Sequence, residues 1–299
     1  MTEELNQLAS ALSTDSEVTA LIELALAEDL GTGDITTHLM VPEEAVATAR
    51  LIAREGGVFA GTPILSRIAE LSGFDLQIHS AVAEGETVEA GEEVLTIQGR
   101  ARGILSLERI MLNVLQRLSG IATMTRVYTN EVSDHECTIL ETRKTVPGWR
   151  KLDKYAVLAG GGANHRMGLF DQVLAKENHF ALAGVDCNGD GFGEAVQRLV
   201  QDAGDAMIVE VEVEDLSQFR AALAAGAHII MLDNMALEDM TLAVQECREA
   251  GDPRPLLEAS GGITIQALKD VAATGVDRIS VGALTHSVKA LDISLLVDF

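Results

Sequence analysis

Residues 207–262 read MIVEVEVEDLSQFRAALAAGAHIIMLDNMALEDMTLAVQECREAGDPRPLLEASGG. Three short apolar runs, Met207–Val213, Ile229–Leu232 and Leu256–Ala259, alternate with two stretches of helical periodicity, Leu216–Ala225 and Leu237–Ala250. Parallel strands need a crossover between them, so this alternation predicts a parallel sheet covered by helices. The pattern continues on both sides. Upstream lie candidate strands Thr138–Glu141 and Gln172–Lys176 and a helix at Glu194–Asp202; downstream lie a helix at Ile265–Thr274 and a strand at Arg278–Val281. Such a sheet is either doubly wound or closed toward an α/β barrel. Polar residues recur where the strands end: Thr142-Arg143-Lys144, Lys176-Glu177-Asn178, Asp233-Asn234, Ser260-Gly261-Gly262 and Gly282-Ala283, with Glu210 and Glu212 on a strand itself. Barrel enzymes place their chemistry at the C-terminal strand ends, so the barrel is favoured, and about six strands would leave it open.

Residues 1–118 have another texture. Ser16–Leu30 has helical spacing and stops at Gly31-Thr32-Gly33. Short β-like runs follow at Ala47–Ala53, Val58–Ala60, Phe74–His79, Thr87–Val88 and Val94–Gln98, with glycines at the turns. The segment EGETVEAGEEVLTIQG (84–99) resembles the sharp turns of a lipoyl-carrier sandwich, but Glu89-Ala90-Gly91 offers no lysine at the tip, so it reads as scaffold. Ser106–Asn130 spaces its apolar residues as a long buried helix does. The expected organisation is an N-terminal domain over 1–118, an α/β domain over 119–285, and a tail over 286–299 that packs on the first.

The chain of 299 residues carries a formal charge of −24, with 47% hydrophobic and 23% charged residues. That acidity argues against nucleic acid as a partner, because binding a phosphate backbone needs a basic face. The most apolar piece, Ala221–Leu232, is interrupted by His228 and is too short to span a bilayer. MTEELNQLASALSTDSE at the start lacks the basic region and apolar core of a secretion signal. Cys137, Cys187 and Cys247 are odd in number and widely spaced, which suggests buried thiols in a reducing cytoplasm.

Against this acidic background, residues 143–176 hold seven of the 22 Lys and Arg (Arg143, Lys144, Arg150, Lys151, Lys154, Arg166 and Lys176) and only two acids, Asp153 and Asp171. These cations lie among Pro147, Gly160, Gly161, Gly162, Asn164 and His165, poor material for a regular charged face, so the cluster reads as an anion site. Arginine grips carboxylates with two parallel hydrogen bonds, and lysine suits phosphate as a compact charge. Arg143, Arg166, His165 and Lys176 together imply a ligand with more than one anionic group. His165 follows a glycine turn and precedes Arg166, which favours ligand contact over general-base duty.

Ser260-Gly261-Gly262 and Gly282-Ala283 follow consecutive strands and precede helical segments, where backbone N–H groups and helix N-termini can hold a phosphate. Glu210 and Glu212 lie two apart on a strand and so share a face. Together with Asp233 at the next strand end they would repel one another unless a cation sits between them, which suggests Mg²⁺; the alternative is a salt bridge to Lys176 or Arg166. Asp186, Asn188, Asp190 and Gly191 match the opening of a calcium loop, but Gln197 occupies the twelfth position where a bidentate Glu is required. That loop reads as a surface turn.

The motif TRKTVPGWRKLDKYAVLAGGGANHRMGLFDQVLAKENH (142–179) is joined in the same order by EVEVE (210–214), MLDN (231–234), SGGI (260–263) and VGALTHS (281–287). EDLGTGDITT (28–37) and LERIMLNVLQRLSGIAT (107–123) precede it. Together these resemble the quinolinate phosphoribosyltransferase family nearly end to end. The resemblance implies an open α/β barrel with an N-terminal α/β sandwich domain, in a homodimer whose partner completes each site. It implies that Arg143, His165, Arg166 and Lys176 bind the two quinolinate carboxylates, with Arg109 reaching in from the neighbouring subunit. Lys144, Glu212 and Asp233 would handle phosphoribosyl pyrophosphate and Mg²⁺, with Glu210 a lesser contributor, and Lys144, Lys176, Glu212 and Asp233 would carry the catalysis. Ser260, Gly261 and Gly282 would hold the ribose 5-phosphate. No organic cofactor is implied. Trp149 stands where the family often has an aliphatic residue, and 186–193 looks like a local elaboration. Two rivals remain: a related transferase with another substrate, and a Schiff-base aldolase using Lys176.

Overall fold

Alternation within each strand decides what the parallel sheet presents. In a computed structural model, which describes residues 3–298, six strands lie in the order Thr138–Leu140, Arg278–Ser280, Leu256–Ser260, Ile229–Asp233, Val209–Val213 and Val173–Ala175, all parallel. The boundaries expected from sequence agree with these to within two residues. Side chains in register on neighbouring strands share a face. One face carries Val209, Val211, Val213, Ile230, Leu232, Leu257, Ala259 and Ile279, all buried, with Gly191–Ala203 and Leu216–Ala224 among the helices that pack on it. Fully burying each Val, Ile or Leu stabilises by about 1.5–3 kcal/mol. The opposite face carries Glu210, Glu212, Asp233, Glu258, Ser260 and Arg278, placed together by the pairs Glu212↔Met231, Glu258↔Met231, Glu258↔Arg278 and Ser260↔Asp233. Glu210 and Glu258 on it are nevertheless fully buried.

By its internal contacts the chain forms two compact units. The sheet belongs to one, made of residues 128–143 and 163–282; the other comprises residues 3–127, 144–162 and 283–298. This other unit contains an antiparallel sheet in the order Ile293–Asp298, Val46–Ala53, Glu93–Arg100 and Leu76–Ser80. The strand Ile293–Asp298 was not expected from sequence; it pairs with Val46–Ala53 through Thr48↔Asp298 to Ala53↔Ile293. Leu51, Leu95 and Ile97 of the sheet join one core with Ile64, Leu65 and Ile68 of the helix Thr62–Ser72, and with Leu107, Leu115 and Leu118 of the helix Ala101–Glu131. The helix Ser16–Leu30 starts where Asp15 accepts the Glu17 and Val18 N–H groups and stops at Gly31, whose φ of 49° suits glycine.

The helix Arg150–Ala159 corrects the reading of the cation cluster. It lies in this antiparallel unit, with Leu152, Tyr155, Ala156 and Val157 in its core, Lys154 fully buried, and Lys151 paired to Asp15 at 2.6 Å and Glu17 at 3.0 Å. Amphipathic spacing through RKLDKYAVLA makes the helix, and its lysines serve the fold.

At the start of the strand Arg278–Ser280, Asp277 takes two hydrogen bonds from Arg254, at 2.8 and 2.6 Å, and one from the Leu257 N–H at 2.7 Å. Burial pushes this carboxyl up, but Arg254 and the amide more than reverse that and hold it below the usual carboxylate range. A depressed carboxylate stabilises above its unfolded pKa and loses that contribution as pH falls through its folded one. Asp277→Asn is therefore expected to cost about 1–3 kcal/mol near pH 7 and progressively less below about pH 4. Urea melts of both proteins across that range check it; a cost that stays constant down to pH 3 would contradict it.

Candidate active site

Every strand of the parallel sheet ends on the same side, and there the chain turns polar. After Thr138–Leu140 comes Glu141, fully buried, whose carboxylate accepts the His165 N–H at 3.1 Å. Ala163 bridges to Leu140, which brings Asn164, His165 and Arg166 alongside that strand end. Asp171 accepts the Met167 and Gly168 N–H groups at 2.6 and 2.9 Å, and Arg166 donates to the Gln172 carbonyl at 2.9 Å, so the loop closes on itself.

Arg166 and Arg143 lie close enough to repel. Burial and the Arg143 charge both lower the proton affinity of Arg166, against the pull of Glu210 and Asp171. The Nε of Arg143 is buried without a hydrogen-bond partner among the described residues. A buried donor beside a second guanidinium is costly unless an anion is drawn in. This pair carries the anion-site reading; Arg150, Lys151 and Lys154 belong to the other unit.

His165 is placed differently from what its neighbours in sequence suggested. Its Nε2 lies 3.4 Å from Glu210 and 3.3 Å from Glu258, and its Nδ1 accepts the Arg166 N–H at 2.7 Å. Both ring nitrogens are thus engaged within the protein, so direct ligand contact through a ring nitrogen is not what this arrangement presents. Burial lowers its basicity, and the two carboxylates facing Nε2 push it the other way. Because Nδ1 accepts the Arg166 N–H, the ring carries its proton on Nε2, toward the two carboxylates; burial raises Glu210 against the pull of His165. Glu258 moves the other way. Burial pushes it up, yet His165 and Arg278 hold it below the carboxylate range.

The same geometry weighs against a metal here. The ligand atoms of His165, Glu210 and Glu258 lie within 4.8 Å of one another. A metal on Nε2 would require Nδ1 to donate its proton outward, whereas here it accepts. Glu210, considered above as a lesser Mg²⁺ ligand, instead accepts from Gln172 at 2.5 Å and faces His165.

Glu212 and Lys176 form an ion pair, the salt-bridge alternative left open by the sequence. A Schiff-base lysine must be a neutral amine in a desolvated setting, and Lys176 is an ion-paired side chain that is 43% exposed, so the aldolase rival loses its nucleophile. Asp233 ends its strand half-buried and accepts from the Asn234 amide group at 2.7 Å. The next strand ends in Ser260, whose carbonyl accepts the Asn234 N–H at 2.9 Å. Gly261 follows at φ 96°, and a Cβ there would meet the Asn234 side chain at 2.4 Å, so glycine is required for both conformation and space. Gly262, at φ 56°, and Gly282 complete the backbone turns at these strand ends.

Lys144, Ala283 and Arg109 belong to the antiparallel unit. Lys144 is exposed and its carbonyl accepts from Thr285 at 2.9 Å; Ala283 opens the helix Ala283–His286; Arg109 is exposed on Ala101–Glu131 between buried Leu107 and Ile110.

Residues 34–119 match the N-terminal domain of quinolinate phosphoribosyl transferase, and residues 121–296 match its C-terminal domain. The chain belongs to the quinolinate phosphoribosyltransferase family. Within this family it is similar to the probable nicotinate-nucleotide pyrophosphorylase [carboxylating] of Bacillus subtilis, at 42% identity over 90% of this chain and 89% of that one. It is similar to the nicotinate-nucleotide pyrophosphorylase [carboxylating] of Mycobacterium leprae, at 43% identity over 92% of this chain and 95% of that one. Its fold resembles the solved nicotinate-nucleotide pyrophosphorylase of Francisella tularensis, with a TM-score of 0.85 and 40% identity over 94% of this chain and 96% of that one.

Glu141, Gln172, Glu258 and Arg278 escaped the sequence reading. The available signal was a lone charge inside an apolar strand, as in LLEAS, two residues before a phosphate-type turn.

Proposed function

We propose that this chain transfers the phosphoribosyl group of 5-phosphoribosyl 1-pyrophosphate to quinolinate, releasing CO₂ and pyrophosphate and forming nicotinate mononucleotide in NAD biosynthesis. Family membership supports the reaction class, and the Arg143–Arg166 pair is the observation that carries the substrate. Two mutually repelling guanidiniums, one with an orphaned buried Nε, suit a ligand with adjacent carboxylates. Lys176 adds a third cation, and His165 supports the group from beneath.

The quinolinate nitrogen attacks the anomeric carbon as pyrophosphate departs, and positive charge develops on the ribose. Glu212 and Asp233, at the ends of adjacent strands, stabilise that charge, and Lys144 and Lys176 stabilise the anionic groups. The pyridinium formed is an electron sink: the C2–CO₂⁻ bond breaks, its electron pair stays on C2 beside N⁺, and a proton replaces the carboxylate. Ser260, Gly261, Gly262, Gly282 and Ala283 hold the 5-phosphate through backbone N–H groups. Glu212 and Asp233 also offer the hard oxygen donors that Mg²⁺ takes, and that ion would neutralise charge on the departing diphosphate. No organic cofactor is needed.

The fold reading is an open α/β barrel with an N-terminal α/β sandwich. Strand order supports the barrel, running in sequence from Val173–Ala175 to Arg278–Ser280 and then returning to Thr138–Leu140, with the outermost strands unpaired to each other among the described residues. A charged face that is still buried also fits a sheet curled on itself. The enzyme works as a homodimer with shared sites, or a higher assembly of such dimers, in the cytoplasm; no described helix is long and apolar enough to cross a membrane.

Quinolinate labelled with ¹³C in its 2-carboxylate tests the reading. Labelled CO₂ and unlabelled nicotinate mononucleotide are expected only when phosphoribosyl pyrophosphate and Mg²⁺ are both present. Unchanged quinolinate under those conditions would refute it.

A further inference from the structure

The polar column beneath the anion site has no part in the chemistry above. Glu258 and Arg278 are directly opposite each other on neighbouring parallel strands, and Glu258 accepts from Arg278 Nε at 2.8 Å. The second Glu258 oxygen is buried without a hydrogen-bond partner and lies 3.3 Å from His165 Nε2. On its other side the His165 ring holds the Arg166 amide, and its own amide is held by Glu141. A continuous line of contacts therefore runs Arg278, Glu258, His165, Arg166, from the start of one strand to the guanidinium at the strand ends. Glu258 is fully buried, and Arg278 opens its strand and lines a cavity with Met207, Ile208, Ile229 and Leu256 at the strand starts, away from the strand ends where the anion site lies.

We propose that Glu258 and Arg278 are positioning residues for the quinolinate carboxylates: their cross-strand ion pair fixes the His165 ring, and that ring fixes the backbone from which Arg166 projects. The inference rests on the function proposed above. A guanidinium displaced by about 1 Å loses much of a two-point grip, so the loss falls on one substrate. Glu258→Gln removes the charge at constant shape; Arg278→Met removes the partner; Arg278→Lys keeps a cation without the fork.

The test measures steady-state kinetics and calorimetric binding of both substrates, with melting temperatures alongside. Glu258→Gln and Arg278→Met are expected to raise the quinolinate KM and Kd about tenfold or more, while the Kd for phosphoribosyl pyrophosphate stays within about twofold. Arg278→Lys is expected to recover most of the quinolinate affinity. A merely structural role would shift both substrates together or neither, and either result in folded variants overturns the inference. Should the first two variants fail to fold, wild-type protein decides the matter: ¹⁵N shifts of His165 at about pH 7 should show a bare Nδ1 and a protonated Nε2, and a protonated Nδ1 would break the line at Arg166. A wild-type enzyme that turns over no quinolinate overturns the functional reading and this inference with it. An active wild type with unaffected variants overturns this inference alone.

Discussion

Arg166→Ala is expected to lower kcat/KM for quinolinate by roughly two to three powers of ten while leaving the fold intact. Removing one charged partner from a desolvated contact costs about 3–4 kcal/mol, and each 1.36 kcal/mol is tenfold. The stability cost is smaller. Within the protein Arg166 donates to one carbonyl, of Gln172, a contact worth about 1 kcal/mol. Relief of repulsion with Arg143 offsets part of it. Arg166→Lys should recover only a fraction of the activity, because an ammonium cannot make two parallel contacts. Initial rates at varied quinolinate and saturating phosphoribosyl pyrophosphate measure the effect. An unaltered kcat/KM would remove the carboxylate role from Arg166.

The second large effect concerns Arg109. It is exposed on the helix Ala101–Glu131, between side chains of that unit's core. An exposed arginine so placed can serve a neighbouring molecule, and a two-fold dimer would use it twice. Arg109→Ala homodimers are expected to lose about two powers of ten in activity, for the reason given for Arg166. Subunits carrying Arg109→Ala, refolded with an equal amount of Arg166→Ala subunits, should regain about a quarter of wild-type activity, since half the dimers are mixed and each of those has one intact site. Mixed dimers verified by mass that stay inactive would show that sites are not shared.

Much of the parallel sheet was legible. Continuous apolar runs alternating with helical spacing placed every strand of Val173–Ala175 to Arg278–Ser280 within two residues, because local periodicity alone specifies them. Glu210 and Glu212 were also correctly put on one face. What could not be read was depth. Glu210 sits against His165 and Gln172 at full burial, whereas Glu212 meets Lys176 nearer the solvent. Both look alike in EVEVE, since a strand repeat reports face and says nothing about how deep each residue lies beneath the strand ends. The cation cluster was drawn too wide for a related reason. Charge counting treats Lys154 and Arg166 as equals, but the first is sealed in a helix of the antiparallel unit. Ile293–Asp298 was missed because its partner, Val46–Ala53, lies at the other end of the chain, beyond the reach of any local pattern. Glu258 was passed over because one charge in LLEAS does not interrupt an apolar run, and only the opposite Arg278 explains it.

The central claim is that two arginines select a ligand with two carboxylates. Calorimetric titration of the wild-type protein with quinolinate and with nicotinate, which lacks the 2-carboxylate, tests it most directly. Quinolinate should bind about a hundredfold more tightly, the worth of one desolvated charge-assisted pair. Equal affinities for the two acids would contradict the account.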